Sequence, residues 1–194
     1  MLKKFFEEEQ NESLEGKILV ASPNLKDPYF SQSIVYICTH DEAGAIGIII
    51  NQKIGMISYS DLVFINDKNA SIPKNKKIPL MFGGPINTDM LIALSTKEQD
   101  DDSLMSFSIH TDITSFLKQQ QLKKYSSEKF ILAKGVAAWD SQQLEEEVES
   151  NHWIIVEADQ KLIFSTKRRN KWSEIIKQLG IVDALGLVQY SGNC

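Results

Sequence analysis

The chain has 194 residues, of which 42% are hydrophobic and 24% are charged, a composition typical of a globular protein with one sizeable core. Its formal net charge of -5 argues against a protein whose whole surface binds phosphate backbones. No apolar run of about 18 residues occurs, and the N-terminus MLKKFFEEEQ lacks the apolar stretch of a secretory signal, so we expect a cytoplasmic protein without a membrane span.

The first quarter of the chain predicts three strands, at 17–21, 34–39 and 45–50. The first of them ends at Ser22, because the residue before Pro23 is pushed out of the α region. The loop at 24–33 follows, and it contains Tyr29 and Phe30. We expect both aromatic rings to reach back from this loop into the core.

The second and third strands predict a hairpin, because both are rich in branched side chains and the loop between them contains Gly44. Ile48, Ile49 and Ile50 follow one another without alternation. Such a continuous apolar run indicates a central strand that is covered on both faces. Asn51 ends this strand.

The rest of the chain predicts further short elements. We expect strands at 80–82, 89–94, 104–109, 130–138, 153–156 and 161–164, the last two as a hairpin through Ala158-Asp159. We expect helices at 58–64, from Thr111 or Asp112 through Leu117, at 141–150 and at 172–179, with exposed loops at 67–77 and 98–102. Asp140 and Gln143 have the spacing of a capping box, and Gly180 ends the last helix.

Strands outnumber helices in this order, and several strands form hairpins, so the sequence predicts an α+β fold rather than a doubly wound parallel sheet. We expect one domain over residues 14–190. A flexible N-terminal segment at 1–13 and a short tail at 191–194 flank it.

Two features could bind a ligand. Gly83-Gly84 follows a predicted strand, and consecutive free amides there could hold an anion, although a tight turn explains the pair without any ligand. Asn51 at a strand end could orient a ligand, or it could satisfy local backbone groups.

No residue pattern predicts catalysis, a metal site or a cofactor. His40, His110 and Asp112 lie near predicted strand ends, but the chain has only three histidines and no HExxH, CxxC or DxDxDG motif. A GxSxG elbow is also absent. Cys38 has apolar neighbours, which should raise its pKa and keep it inert. We expect the glutamates at 145–149 to lie on the wet face of their helix.

One concentrated basic patch could contact nucleic acid, with Trp172 as a stacking surface. It consists of Lys167, Arg168, Arg169 and Lys171. A solvated helix end explains the same residues, because no recognition-helix pattern accompanies them.

Three blocks resemble the YqgE/AlgH family of bacterial proteins: GKILVASPNLKDPYFSQSIVYICTHDEAGAIGIIIN, FGGPINTD and AKGVAAWDSQQLEEEVESNHW. The resemblance implies a single α+β domain with a mixed, largely antiparallel, branching sheet that curls toward a pseudo-barrel and is flanked by helices. It also brings the family's label of transcriptional regulator. Trp139, Gln143, Leu144 and Glu145 match the family pattern. The chain departs from that pattern at Lys53, Ser95, Val136, Ala138, Asp140 and Gln142.

Our leading hypothesis is a non-catalytic binding or regulatory protein that holds a small molecule or a protein partner. The groove that we predict is lined by Ser22, Pro23, His40, Asn51, Gly83, Gly84 and Trp139. Two other functions stay open at this point. One is a regulator that binds DNA directly, and the other is an enzyme that acts on a small phosphorylated or nucleotide-like metabolite.

Overall fold

The computed structural model describes residues 13–62, 77–96, 107–122, 129–164 and 171–181. The predicted N-terminal segment 1–13 except residue 13, the predicted loop 67–77 except residue 77, the predicted loop 98–102 and the predicted tail 191–194 lie outside these ranges. Nine strands of the described residues form one mixed sheet that does not close, and five helices accompany it. The α+β prediction is confirmed, and so is the resemblance in fold.

The strands are β1 (Ile18–Ala21), β2 (Ile34–Asp41), β3 (Gly44–Ile49), β4 (Lys53–Ser58), β5 (Lys77–Phe82), β6 (Ile86–Thr96), β7 (Phe107–His110), β8 (Phe130–Asp140) and β9 (Trp153–Val156). The helices are α1 (Tyr59–Leu62), α2 (Ile113–Leu122), α3 (Gln143–Glu149), α4 (Gln160–Phe164) and α5 (Lys171–Gln178). The sheet order is β4-β5-β8-β3-β2-β1-β9, and β6 pairs with both β8 and β7.

The sheet branches at β8. The first half of β8 pairs with β6 and, in parallel, with β5, whereas its second half pairs with β3. Gly135 lies between the two halves with φ +77°, a conformation that glycine adopts without a Cβ penalty. The chain can therefore bend at this point and exchange one neighbouring strand for another.

Three core clusters cover the two sheet faces. The first lies between the sheet and helices α4 and α5, which contribute Ile163, Ile175 and Ile176. The second lies beneath α3 and the loop at 22–33. The third is formed with α1 and α2. Ile48, Ile49 and Ile50 are fully buried, so the predicted central strand is confirmed.

Several local predictions are also confirmed. β2 and β3 form the predicted hairpin, and the carboxylate of Asp112 accepts the N–H of Ser115 at 3.0 Å to cap α2. The last helix is found at α5, and Gly180 follows it with φ +73°. Among the described residues, no helix is long and apolar enough to cross a bilayer.

One prediction is wrong, one is incomplete, and one strand was missed. Residues 161–164 belong to α4 and not to a hairpin strand, because the Ile163 N–H donates to the carbonyl of Asp159 at 2.9 Å, which is a helical bond. The capping box forms only in part: Gln143 Oε1 accepts the N–H of Asp140 at 3.0 Å, but α3 has no side-chain cap at its own N-cap, Gln142. Strand β4 was not predicted.

Candidate functional site

The loop at 22–33 is held in one conformation by a side chain of its own and by side chains that follow strand β3. Its own Asp27 caps the turn, since Oδ1 accepts the N–H of Tyr29 at 2.8 Å and the N–H of Phe30 at 2.9 Å. Aspartate favours turns because its short carboxylate reaches backbone N–H groups two or three residues ahead. The Asp27-Pro28 sequence thus fixes where the two following rings point.

Asn51 and Gln52 attach this loop to the sheet. Asn51 Oδ1 accepts the N–H of Ile34 at 2.8 Å, and its Nδ2 donates to the carbonyl of Gln32 at 2.9 Å. Gln52 Nε2 donates to the carbonyl of Tyr29 at 3.0 Å. Both polar atoms of the Asn51 side-chain amide are therefore bonded to the backbone. Asn51 thus satisfies local backbone groups, which is one of the two roles predicted for it.

The two aromatic residues of the loop point in opposite directions. Phe30 packs inward, with its ring centroid 5.8 Å from that of Trp153 and 6.1 Å from that of Trp139. Tyr29 is 50% exposed and stacks on Phe82, with centroids 6.0 Å apart and ring planes 26° apart. The expectation that both rings enter the core is wrong for Tyr29. We call Tyr29 and Phe82 the aromatic platform.

Gly83 and Gly84 lie next to the platform, but they are buried against β8. The N–H of Gly83 donates to the carbonyl of Lys134 at 2.8 Å, and its carbonyl accepts the N–H of Ile49 at 2.8 Å. A Cβ on Gly83 would collide with the carbonyl oxygen of Gly135, and a Cβ on Gly84 with the backbone of Val136. The Gly83 amide is thus not free for an anion, and the pair instead permits a close crossing of two chain segments.

The buried indole of Trp139 bonds to a half-buried carboxylate. Glu147 Oε2 accepts the indole N–H of Trp139 at 3.0 Å and that of Trp153 at 2.7 Å, while Oε1 accepts Gln143 Nε2 at 2.9 Å. Buried indoles usually need such an acceptor. Trp139 is only 6% exposed, so it supports the loop through Phe30 and offers little surface of its own. Glu147 is half-buried rather than fully solvated as predicted, because its Oε2 bonds to both indoles.

His40 lies away from the platform, beneath α3. Its Nδ1 accepts the N–H of Leu14 at 2.9 Å, and its Nε2 is 2.8 Å from Glu145 Oε1. An Nδ1 that accepts a hydrogen bond requires the ring proton to be on Nε2, which then donates to Glu145. This pairing also contradicts a purely solvated role for Glu145.

The seven predicted groove residues therefore do not line one cleft. Asn51 and Trp139 support the loop at 22–33 through Gln32 and Phe30, whereas Gly83 and Gly84 pack against β8. Ser22 is 8% exposed and its N–H donates to the carbonyl of His152 at 2.9 Å, and Pro23 is half-buried. Tyr29 is the large hydrophobic side chain of this loop that is exposed, and no sequence pattern had indicated its exposure.

The predicted basic patch is described only at Lys171. This lysine is 3% exposed, and its Nζ donates to the carbonyl of Ile163 at 2.7 Å. Its ammonium group thus faces the interior, where it cannot contact a phosphate backbone. Lys167, Arg168 and Arg169 lie outside the described residues.

A serine and a histidine meet where the sequence did not predict a pair. Ser95 Oγ and His110 Nε2 are 2.9 Å apart, and the His110 ring stacks on Phe116 with centroids 4.2 Å apart. The register of β6 with β7 brings the two side chains together. The spacing of Ser95 and His110 in the sequence could not have predicted this contact. Ser95 is 1% exposed, so a substrate cannot reach its hydroxyl in this conformation.

Two titratable groups of the first cluster are shifted by their surroundings. Burial raises the pKa of the Cys38 thiol to about 12, and the nearby Glu15 carboxylate adds to the effect. Burial likewise raises the pKa of Tyr36 to about 12, with smaller contributions from Cys38 and Glu15. A thiol with so high a pKa is a poor nucleophile. Within the described ranges, no three His, Cys, Asp or Glu side chains are grouped to hold a metal ion.

Comparisons with known proteins give a consistent result. A family model described as AlgH-like matches residues 18–183. The chain is 35% identical over 181 residues to a UPF0301 protein of Vibrio cholerae, covering 89% of this chain and 95% of that protein. It is 32% identical over 173 residues to a UPF0301 protein of Pseudoalteromonas translucida, covering 87% and 92%.

Two solved structures are similar in fold. The solution structure of the AlgH protein from Pseudomonas aeruginosa has a TM-score of 0.66 at 25% identity and covers 95% of this chain and 97% of its own. The crystal structure of a Corynebacterium diphtheriae protein has a TM-score of 0.66 at 19% identity, with coverages of 87% and 88%. The names of these relatives state no reaction, substrate or partner.

Proposed function

Because the chain belongs to the AlgH-like family, whose name carries no reaction, we propose from its geometry that it is a non-catalytic binding protein. It holds the aromatic group of a partner on the platform of Tyr29 and Phe82. Any regulatory role then acts through the bound partner rather than through direct DNA contact.

The exposure of Tyr29 in a fixed loop is the observation that carries this proposal. The loop keeps its conformation through Asp27, Asn51 and Gln52, so the ring is already in place before a partner arrives. A preordered surface loses less conformational freedom on binding and gains affinity for that reason. Tyrosine is also common in binding sites, because it offers a large apolar face and a polar tip.

The chemistry of the platform favours a flat ring. A stacked pair of rings can accept a third ring on its outer face, and offset stacking is worth about 0.5–1.5 kcal/mol beyond the area it buries. The neighbouring Gln52 amide adds hydrogen-bonding groups at the rim. An aromatic side chain of a protein or a small aromatic molecule would satisfy both features.

The two other functions gain no specific support from the described residues. A regulator that binds DNA directly would need an exposed basic surface, and Lys171 is buried. An enzyme would need a reachable nucleophile or base, and Ser95 of the Ser95–His110 pair is buried.

The proposal can be tested by NMR titration with N-acetyl-tryptophanamide as the aromatic probe. We expect saturable shifts of the Tyr29, Phe30 and Phe82 amides, and their loss in Tyr29→Ala. Leu179→Ala is the matched control, because Leu179 is 42% exposed and lies after α5. It should leave the titration unchanged. The proposal is wrong if the probe causes no saturable shifts, or if Tyr29→Ala binds it as well as the control does.

A further inference from the structure

Strand β4 is an edge strand among the residues that the structure describes. It stands at the end of the strand order, and within the described residues only β5 pairs with it. An edge strand offers a row of N–H and C=O groups that can pair with another chain. Two large apolar side chains of β4 are also exposed, Ile54 to 53% and Met56 to 47%.

The register with β5 fixes which side chains share a face of this edge. Ser58 lies opposite Lys77, Met56 opposite Pro79, and Lys53 opposite Met81. Residues that lie opposite each other in a sheet point to the same face, as do alternate residues of β5. The bulge between Lys53 and Gly55 keeps Lys53 on this face as well.

This face therefore carries an exposed apolar side chain between two exposed lysines. Met56 lies in the middle, Lys53 at one end, and Lys77 beside Ser58 at the other end. Neither lysine forms an ion pair with a described residue. The edge strand itself thus presents Lys53 and Met56 on this face, and the second positive charge lies one strand further in, on Lys77 of β5.

We infer that β4 binds an extended segment of a partner protein as an additional strand, and that this segment carries acidic, apolar and acidic residues at alternate positions. Backbone hydrogen bonds would supply affinity, and the alternate side chains would supply specificity. The inference deepens the proposed function and rests on it, since it names the class of partner. The platform lies at the adjoining end of β4, because Gln52 precedes the strand and bonds to Tyr29.

A second copy of the chain fits this edge less well. In an antiparallel pairing of β4 with itself about its centre, Lys53 of one copy would lie opposite Ser58 of the other. It would then be two strands, roughly 10 Å, from the other copy's Lys77. The same approach of like charges would occur at both ends. Acidic residues at these positions replace that repulsion with attraction.

Fluorescence anisotropy with labelled peptides tests the inference. The peptide SETITES has the inferred pattern, SKTITKS reverses its charges, and SETPTES places a proline where the central backbone N–H is needed. The protein variant is Lys53→Glu with Lys77→Glu. Its matched control is Lys118→Glu with Lys161→Glu, which makes the same change in net charge at two exposed lysines of α2 and α4.

We expect SETITES to bind the natural protein saturably, with amide shifts along β4, and SETPTES to bind at least about tenfold more weakly. The Lys53/Lys77 variant should lose about tenfold in affinity for SETITES and should prefer SKTITKS, whereas the control variant should behave like the natural protein. The swap of preference is decisive, because misfolding of the variant could not produce it.

Several results would overturn the inference. Among them are no binding of SETITES, equal binding of the two charged peptides, and a sedimenting dimer that SETITES does not dissociate. The last result would assign the edge to a second copy. Failure of the peptides while N-acetyl-tryptophanamide still binds would reject strand addition and leave the proposed function standing. Failure of the aromatic probe alone would reject the platform.

Discussion

The thiol of Cys38 shows how burial suppresses chemistry at a single residue. Its pKa rises from 9.0 to about 12, so at pH 8 the thiolate fraction falls by about a thousandfold relative to the unfolded chain. In Cys194→Ser, we expect iodoacetamide to modify native Cys38 about a thousandfold more slowly than the guanidinium-unfolded chain. The rates can be followed by mass spectrometry, with Cys38→Ser as the control that reports Cys194.

The same shift has a consequence for stability. Because the pKa of the thiol is raised in the folded chain, the neutral thiol contributes its full stabilisation below pH 9, and this contribution is lost as pH rises toward 12.

In the alkylation experiment, a rate for native Cys38 within tenfold of the rate for the unfolded chain would contradict the buried, inert thiol.

At the scale of elements, the crossing of β5 and β8 depends on glycine. We expect Gly83→Ala to lower the free energy of unfolding by about 3 kcal/mol or more, because the new Cβ would collide with the carbonyl of Gly135. Gly55→Ala is the matched control, since a Cβ there meets nothing within 4 Å. Urea unfolding measures both. Equal stability of the two variants would show that the crossing tolerates a side chain.

The sequence predicted those elements whose apolar residues repeat with the period of either a helix or a strand. It was wrong where the spacing of the apolar residues fits both. The apolar run at 161–164 is short enough to be a strand or a buried helical turn, and only packing against the first cluster decides for α4. Strand β4 contains Gly55 and does not alternate clearly, so its extended form depends on pairing with β5, a segment that is distant in the sequence. Tyr29 and Phe30 are adjacent aromatics, and only the Asp27 turn separates their directions.

At the scale of the whole molecule, β1 contributes side chains to the core clusters on both faces of the sheet and so joins them. Ile18 and Val20 belong to the first cluster, whereas Leu19 and Ala21 belong to the second. The sequence could not reveal this joining, nor the branching at β8, because both depend on pairings between distant segments. For the same reason, the sequence could not place Asn51 and Trp139 as supports of the loop at 22–33.

Helix α5 is attached to this joining strand through Trp172, whose indole N–H donates to the carbonyl of Ala21 at 2.7 Å. Trp172→Phe keeps the apolar ring and removes the donor, and we expect it to cost about 1–3 kcal/mol because the partly buried carbonyl loses its partner. Trp139 and Trp153 remain as fluorophores in the second cluster, on the opposite face. If the domain unfolds as one unit, their fluorescence and the far-ultraviolet circular dichroism should shift together to a lower urea midpoint. Leu179→Ala, at an exposed site, should leave both midpoints unchanged. A circular dichroism transition that moves while the fluorescence midpoint stays fixed would mean that β1 does not couple the two faces.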